Sequence, residues 1–147
     1  MEMLFGEYSN TLDEKGRILF PAKLRGVLRQ ESVVVTQGLD RCLMLFTIDE
    51  WMSLNRKIVE SASLFNDQKR LVMRRFIAPA QKIDFDRTGR LSIPQSLRDY
   101  AGLKSECTIL GINRYMELWD SESYRAYLEK TESSFLQAAE SMGDILM

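Results

Sequence analysis

Histidine is absent from the chain. That one absence removes imidazole general-base chemistry, Ser–His and Cys–His nucleophile pairs, and the commonest metal ligand. The only two cysteines, Cys42 and Cys107, lie far apart in the apolar stretches CLMLF and CTILG. They lack the paired spacing of a zinc site and are expected to be buried, reduced thiols. No apolar run approaches the roughly 18–20 residues of a membrane span, and no secretory leader pattern opens the chain. These absences predict a cytoplasmic protein with no membrane contact, no metal, no cofactor and no small-molecule substrate. They also argue against an enzyme, since catalysis would fall to carboxylates, Tyr or Lys alone.

What is present is the composition of a folded protein: 45% hydrophobic residues, 28% charged, and only 3 Pro in 147 residues. That composition argues against disorder, and the length suits one domain or two small halves sharing a core. The net charge of −1 conceals an asymmetry. Residues 116–147 hold two cations, Arg125 and Lys130, against seven carboxylates, which leaves +4 on residues 1–115. Such a division marks a binding part and a separate acidic segment.

The chain repeats itself. LDEKGRILFP begins at Leu12 and FDRTGRLSIP at Phe85. An offset of 73 maps Asp13 on Asp86, Gly16 on Gly89, Arg17 on Arg90, Pro21 on Pro94 and Arg25 on Arg98. Continued without a gap, it maps Ser32 on Ser105, Gly38 on Gly111, Arg41 on Arg114 and Leu45 on Leu118. Two copies are too few for a solenoid and predict a pseudo-two-fold pair of half-domains.

Each half reads as strand, turn, strand, short helix, strand, strand. EYSNTL alternates as a half-buried strand, and DEKG places Asp first and Gly fourth in a type I turn closed by a left-handed residue. RILF resumes the strand, Pro21 opens the helix PAKLRGVL, and SVVVTQG and RCLMLF are strands around a bend at Gly38. The second half repeats this through AQKIDF, RLSI, PQSLRDYAG, CTILGI and YMELW. Between the halves, Thr47 and Glu50 form a capping-box pattern before WMSLNRKIVESA, and Asn66 caps DQKRLVMRRFI. Lys69, Arg70, Arg74 and Arg75 on that helix suit a solvated face, or contact with DNA or an acidic neighbouring subunit. Asp120 or Ser121 starts a long C-terminal helix. Its stripe of Tyr124, Leu128, Phe135, Ala138, Met142 and Ile145 reads as core or subunit contact rather than a ligand box.

Four chemistries compete for the repeated turn. From Asp84 the spacing D-x-D-x-T-G imitates a calcium loop, but Gln95 stands where a bidentate Glu is needed and the first copy offers Thr11 and Lys15 instead. DFDRT also imitates an aspartate-nucleophile phosphatase, yet PAQKI is too polar for the buried strand that motif requires. A purely structural Asp–Arg clamp explains Gly16 and Gly89, though not the extra cations, Lys15 and Arg87, at the tips. Nucleic-acid contact explains both: a hairpin tip presents donors to phosphates, and an Arg can take a guanine edge bidentately.

The two D-x-x-G-R turns, followed by ILFPAKLR and LSIPQSLR, resemble the MraZ family of bacterial transcriptional regulators. So do FGEYSNTLDEKGR, TQGLDRCLMLF and GINRYMELWD, and the resemblance covers Phe5 to about Tyr127. It implies an α+β fold, mainly β in its core. Two tandem AbrB-like swapped-hairpin half-domains, at 5–51 and 80–124, would form a pseudo-two-fold barrel, with connecting helices at 52–79 and a C-terminal helix at 121–147. It implies a ring-shaped homo-oligomer, nucleoid-associated, that binds direct repeats of double-stranded DNA in its own promoter and represses a division and cell-wall gene cluster. Asp13, Gly16, Asp86 and Gly89 would shape the turns, while Lys15, Arg17, Arg87 and Arg90 would meet DNA, the first copy more strongly than the second. Thr88 stands where the first copy has Lys15, so the second tip is expected to contact DNA differently or not at all. The rival expectation is an antitoxin- or adaptor-like protein-interaction module on the same scaffold.

Overall fold

Strands of the two halves pair mainly with each other. In the computed structural model, which describes residues 3–28, 32–61 and 65–146, β1 (Leu4–Thr11) runs antiparallel to β7 (Glu106–Asn113). Conversely β5 (Gln81–Asp84), from the second half, runs antiparallel to β3 (Ser32–Gln37), from the first. With β4 (Leu43–Phe46) and β8 (Tyr115–Asp120) they make one six-stranded antiparallel sheet in the order β1-β7-β8-β4-β3-β5. A separate two-stranded ribbon joins β2 (Arg17–Leu19) to β6 (Arg90–Ser92). The architecture is α+β with a mainly antiparallel sheet.

Burial drives the exchange. Ile18 of β2 and Leu91 of β6 are opposite each other and fully buried, and Phe20, Leu24, Ile93 and Leu97 join them in one apolar cluster. The sheet contributes Val33, Val35, Leu45, Ile109 and Leu118 to that same cluster. Phe20 of the first half meets Phe85 of the second edge-on at 5.7 Å. Each such side chain removed from water stabilises the fold by about 1.5–3 kcal/mol, so neither half keeps a core of its own. Two short helices, α1 (Ala22–Leu28) and α4 (Gln95–Ala101), follow the ribbon strands and lay Leu24 and Leu97 into this core.

The connecting helices begin as their caps predict. Thr47 Oγ1 accepts from the Glu50 amide at 3.1 Å at the start of α2 (Ile48–Ser61), and Asn66 Oδ1 accepts from Gln68 and Lys69 amides ahead of α3 (Asp67–Val72). Helix α3 runs on into a π-helical turn, Met73–Ile77, whose Phe76 carbonyl accepts the buried Thr36 hydroxyl at 2.6 Å. On α3, Lys69 is buried and its Nζ donates to the Val59 carbonyl at 2.6 Å, so only part of that basic helix is a solvated face. Ala62 and Met147, which end two of the stretches read as helix, lie outside the described residues.

Two expectations need correction. The ungapped offset of 73 does not survive in the strands after the short helices. Tyr8 faces Ile109, yet Gln81, its counterpart at that offset, faces Val35 where the offset demands Thr36. Strand β7 is therefore displaced by one residue relative to β3. The displacement is taken back at the hairpins: Gly38–Cys42 separate the paired Gln37 and Leu43, whereas β7 and β8 close at Ile112 and Tyr115 around Asn113, whose φ is 62°. Gly38 and Gly111 consequently do different jobs. Gly38 donates to the Cys42 carbonyl at 2.7 Å in a loop, while Gly111 lies within β7 opposite Gly6, where a Cβ would sit 2.7 Å from the Phe5 backbone nitrogen.

The second correction concerns the C-terminus. Instead of one long helix there are three segments among the described residues, α5 (Ser121–Lys130), α6 (Glu132–Ser141) and α7 (Gly143–Leu146). They break at Thr131 and Met142, both near φ −100° with ψ close to zero. Asp120 caps α5 by accepting the Ser123 amide at 3.1 Å. Tyr124 and Tyr127 hold α5 against Trp119, with ring centroids 5.1 and 4.9 Å away. Beyond Thr131 none of the described residues is buried, and Phe135, Met142 and Ile145 of the expected stripe are exposed.

Both thiols are buried; burial pushes Cys42 up to about 12 and Cys107 to about 11, with neighbouring carboxylates adding to both. The thiolate is the reactive form. A chromogenic disulfide reagent at neutral pH should therefore find no fast-reacting thiol in the native protein and two after denaturation. Rapid labelling of either cysteine in the native state would contradict this packing.

Candidate nucleic-acid interface

Each repeated turn is organised around one carboxylate. Asp13 Oδ1 accepts from the Lys15 and Arg17 amides, both at 2.9 Å, and Oδ2 accepts from Arg17 Nε at 2.8 Å. The backbone closes around it: Asp13 N donates to the Arg17 carbonyl and Gly16 N to the Asp13 carbonyl. Asp86 repeats the pattern with the Thr88 and Arg90 amides at 2.9 Å and Arg90 Nε at 2.9 Å. Thr88 adds its hydroxyl to Asp86 Oδ1 at 2.8 Å, which turns that side chain inward where the first copy presents the Lys15 ammonium. Gly16 and Gly89 have φ of 78° and 87°, the left-handed conformation that closes such a turn.

Neither turn stands alone. The Gly16 carbonyl accepts from Ile93 N at 2.8 Å, and the Gly89 carbonyl accepts from Phe20 N at 3.1 Å, so each tip is tied to the opposite half. Arg98, whose Nε donates to the Ile93 carbonyl at 2.9 Å, lies against Gly16; a Cβ there would meet its Cζ at 2.8 Å. Arg25 donates to the Phe20 carbonyl at 3.0 Å and lies against Gly89 in the same way. The missing side chain at each tip is what lets the other half's guanidinium approach.

The result is a ribbon with one buried and one open face. Ile18 and Leu91 point inward, while Arg17, Leu19, Arg90 and Ser92 are on the outer side. Arg17 is opposite Ser92 and Leu19 opposite Arg90, which makes the two arginines diagonal neighbours, about 7–8 Å apart at Cα. Lys15 and Arg87 are exposed at the two tips, and Lys23 is exposed on α1. All four cations expected at the site are thus brought to the ribbon and its ends. Arg25 and Arg98 also belong to it, although the residue types alone assigned them no role. The signal that would have found them was their match at the offset of 73.

The carboxylates serve the turns. Asp84, which opens the calcium-like spacing, accepts the Ser32 hydroxyl at 2.5 Å across the β3–β5 pair. Among the described residues no group of three or more acidic or cysteine side chains converges as a metal cage. The Arg90 amide, with Thr88 and the Arg90 side chain, holds the Asp86 carboxyl well below the usual carboxylate range; the Arg17 amide and side chain, with the Lys15 amide, lower Asp13 likewise. A carboxyl depressed in the folded state stabilises it above the unfolded pKa, and that contribution disappears as pH falls through the folded value. In a carbon-detected NMR titration, the Asp86 side-chain signal should have its midpoint below about 3.9, the unperturbed Asp value. A midpoint at or above that value would mean that the clasp does not form in solution.

A second expectation concerns the tips. Gly89→Ala should destabilise the protein by about 1–2 kcal/mol in urea, the cost of a left-handed L-residue, and displace Arg25. Gly26, in the middle of α1 with open space where a Cβ would lie, is the control. Its replacement by Ala should be neutral or stabilising by up to about 1 kcal/mol. Equal destabilisation by both substitutions would remove the special role of the tip glycine.

A family model described as "MraZ protein, putative antitoxin-like" matches residues 3–75 and again residues 76–145. The protein named "Transcriptional regulator MraZ" from Treponema denticola is 53% identical over 140 residues, covering 95% of this chain and 97% of that protein. Proteins of the same name from two strains of Treponema pallidum are each 44% identical over 142 residues, covering 97% of this chain and 95% of theirs. Two tandem matches that together span almost the whole sequence divide it as the doubled turn does, and on this ground the chain belongs to the MraZ family.

Proposed function

We propose that the chain is a transcriptional regulator, not an enzyme, and that it binds double-stranded DNA sequence-specifically through the β2–β6 ribbon. The observation that carries this reading is the pairing of both D-x-x-G-R turns in one ribbon, with Arg17 and Arg90 diagonal to each other on its open face. The names of the relatives, each called a transcriptional regulator, support the same reading. The major groove of B-DNA admits a two-stranded ribbon, and an Arg can take guanine O6 and N7 bidentately. Lys15 and Arg87 at the tips suit phosphates on either side, which fix position rather than sequence. Arg25 and Arg98 act through the tip glycines as positioning residues.

The finer reading extends this. The exchange of β1, β2, β5 and β6 between halves supports an AbrB-like swapped-hairpin arrangement, with half-domains at 5–51 and 80–124. Several chains in a ring would set several ribbons on direct repeats at once, so that weak single contacts become strong together. The targets would be repeats upstream of the chain's own gene, repressing a division and cell-wall cluster from the nucleoid. The competing reading is a protein-binding module, favoured by the antitoxin-like wording of the family description.

Fluorescence anisotropy with a duplex from upstream of the coding sequence, against a composition-matched scramble, separates the two. Preference for the upstream duplex is expected; equal, weak binding to both would favour the protein-binding module. Arg17→Ala should cost about 1–3 kcal/mol of discrimination among sites, and more than Arg90→Ala because Lys15 adjoins only the first turn. Lys15→Ala should weaken all duplexes alike and flatten the salt dependence by a slope of about one. An unchanged sequence preference in Arg17→Ala would reassign that residue to the DNA backbone.

A further inference from the structure

One apolar groove and one apolar helix face are left open on the same chain. The groove, about 1010 Å³, lies between α2, the α3 segment with its π-helical turn, and the β7–β8 hairpin. Phe46 and Ile58 line its floor side, and Leu71 and Val72, exposed at 55% and 43%, form a lip. Its charged lining is Lys57, Arg75 and Arg114 against Glu50 alone, and Glu50 is already met by Arg114 at 3.4 Å. The groove is therefore apolar within and positive at its edge.

The open face is that of α6 and α7. Phe135, Leu136, Met142, Ile145 and Leu146 are exposed at 48–78%. Their spacing, seven residues from Phe135 to Met142 and three more to Ile145, puts them on one side of a helical segment. Residues 131–146 carry Glu132, Glu140 and Asp144 and no cation. An apolar, purely acidic helical segment thus matches a basic-edged apolar groove in both hydrophobicity and sign. Neither helix buries any residue on its own chain.

We infer that α6 and α7 of one chain dock in this groove of a second copy. The contact is heterologous, tail to groove, so it repeats until a ring closes or a filament grows. It deepens the assembly proposed above and rests on that part of the reading, independently of DNA binding.

The test uses two full-length variants altered only at exposed positions. Lys57→Glu with Arg75→Glu blocks the groove edge and keeps the tail; Phe135→Glu with Met142→Glu blocks the tail and keeps the groove. Size-exclusion chromatography with light scattering, without DNA, reads the mass, and circular dichroism checks that both variants are folded. The unaltered protein should be an oligomer and each variant alone a monomer. An equimolar mixture should yield a one-to-one heterodimer and nothing larger, because only one tail and one groove remain usable. Either variant keeping the parental mass would overturn the inference. So would an unaltered protein that is monomeric, or a mixture that stays monomeric, the result expected if the tail seats on its own chain or on another protein. Promoter binding by the unaltered protein, measured separately, tests the DNA reading: its absence while the masses behave as described would sink that reading alone.

Discussion

The carbonyl oxygens of Gly16 and Gly89 each accept a hydrogen bond from the other half of the chain, and most of the architecture follows from that reciprocity. A ribbon of two three-residue strands has too few ladder bonds to persist alone. It persists because Ile18 and Leu91, opposite each other, are driven into a core that both halves share. Once they are buried, each turn is tied to the opposite half, and Arg25 and Arg98 lie over the tip glycines of the half to which they do not belong. The duplicated sequence is in this sense one structural unit, since the tip of each turn is tied to the other copy.

The same constraint lets a nearly neutral chain carry a cationic ribbon. Asp13 and Asp86 are engaged by backbone amides and by one edge of an arginine, through Nε. The clasp orients Arg17 and Arg90 toward the open face while leaving their terminal nitrogens outside that contact. Among the described residues no carboxylate forms an ion pair with Lys15 or Arg87 at the tips. Charge is concentrated by geometry, and the excess of carboxylates over cations lies in the C-terminal segment, where seven face two cations. Opposite signs at separate places on one chain also favour association of like chains over indiscriminate binding to polyanions.

The two copies have diverged where the pseudo-symmetry permits it. Thr88 gives its hydroxyl to Asp86, so the second turn has a fourth bond to its carboxylate and one cation fewer at that place. Strand β7 carries its one-residue displacement because the β7–β8 hairpin is tighter, turning at Asn113 in the left-handed conformation. That displacement frees Gly111 to let β1 pass close by, a task Gly38 never has.

Local chemistry was legible in the residues themselves. The Asp and Gly positions define each turn, Asn66 and Thr47 announce helix starts, and alternating apolar residues mark strands, because each depends on hydrogen bonds or faces only a few residues away. The doubled motif also exposed the pseudo-symmetry and the four cations of the candidate site. What neighbouring residues do not determine is which strand pairs with which. That was decided by the burial of Ile18, Leu91 and Phe20 in a common core, so the exchange, the approach of Arg25 and Arg98 to the tips, and the displaced register of β7 emerge only in three dimensions. The C-terminal stripe shows the same limit from the other side. Its periodicity identified an apolar face, but whether that face is buried depends on what it packs against, and among the described residues beyond Thr131 none is buried.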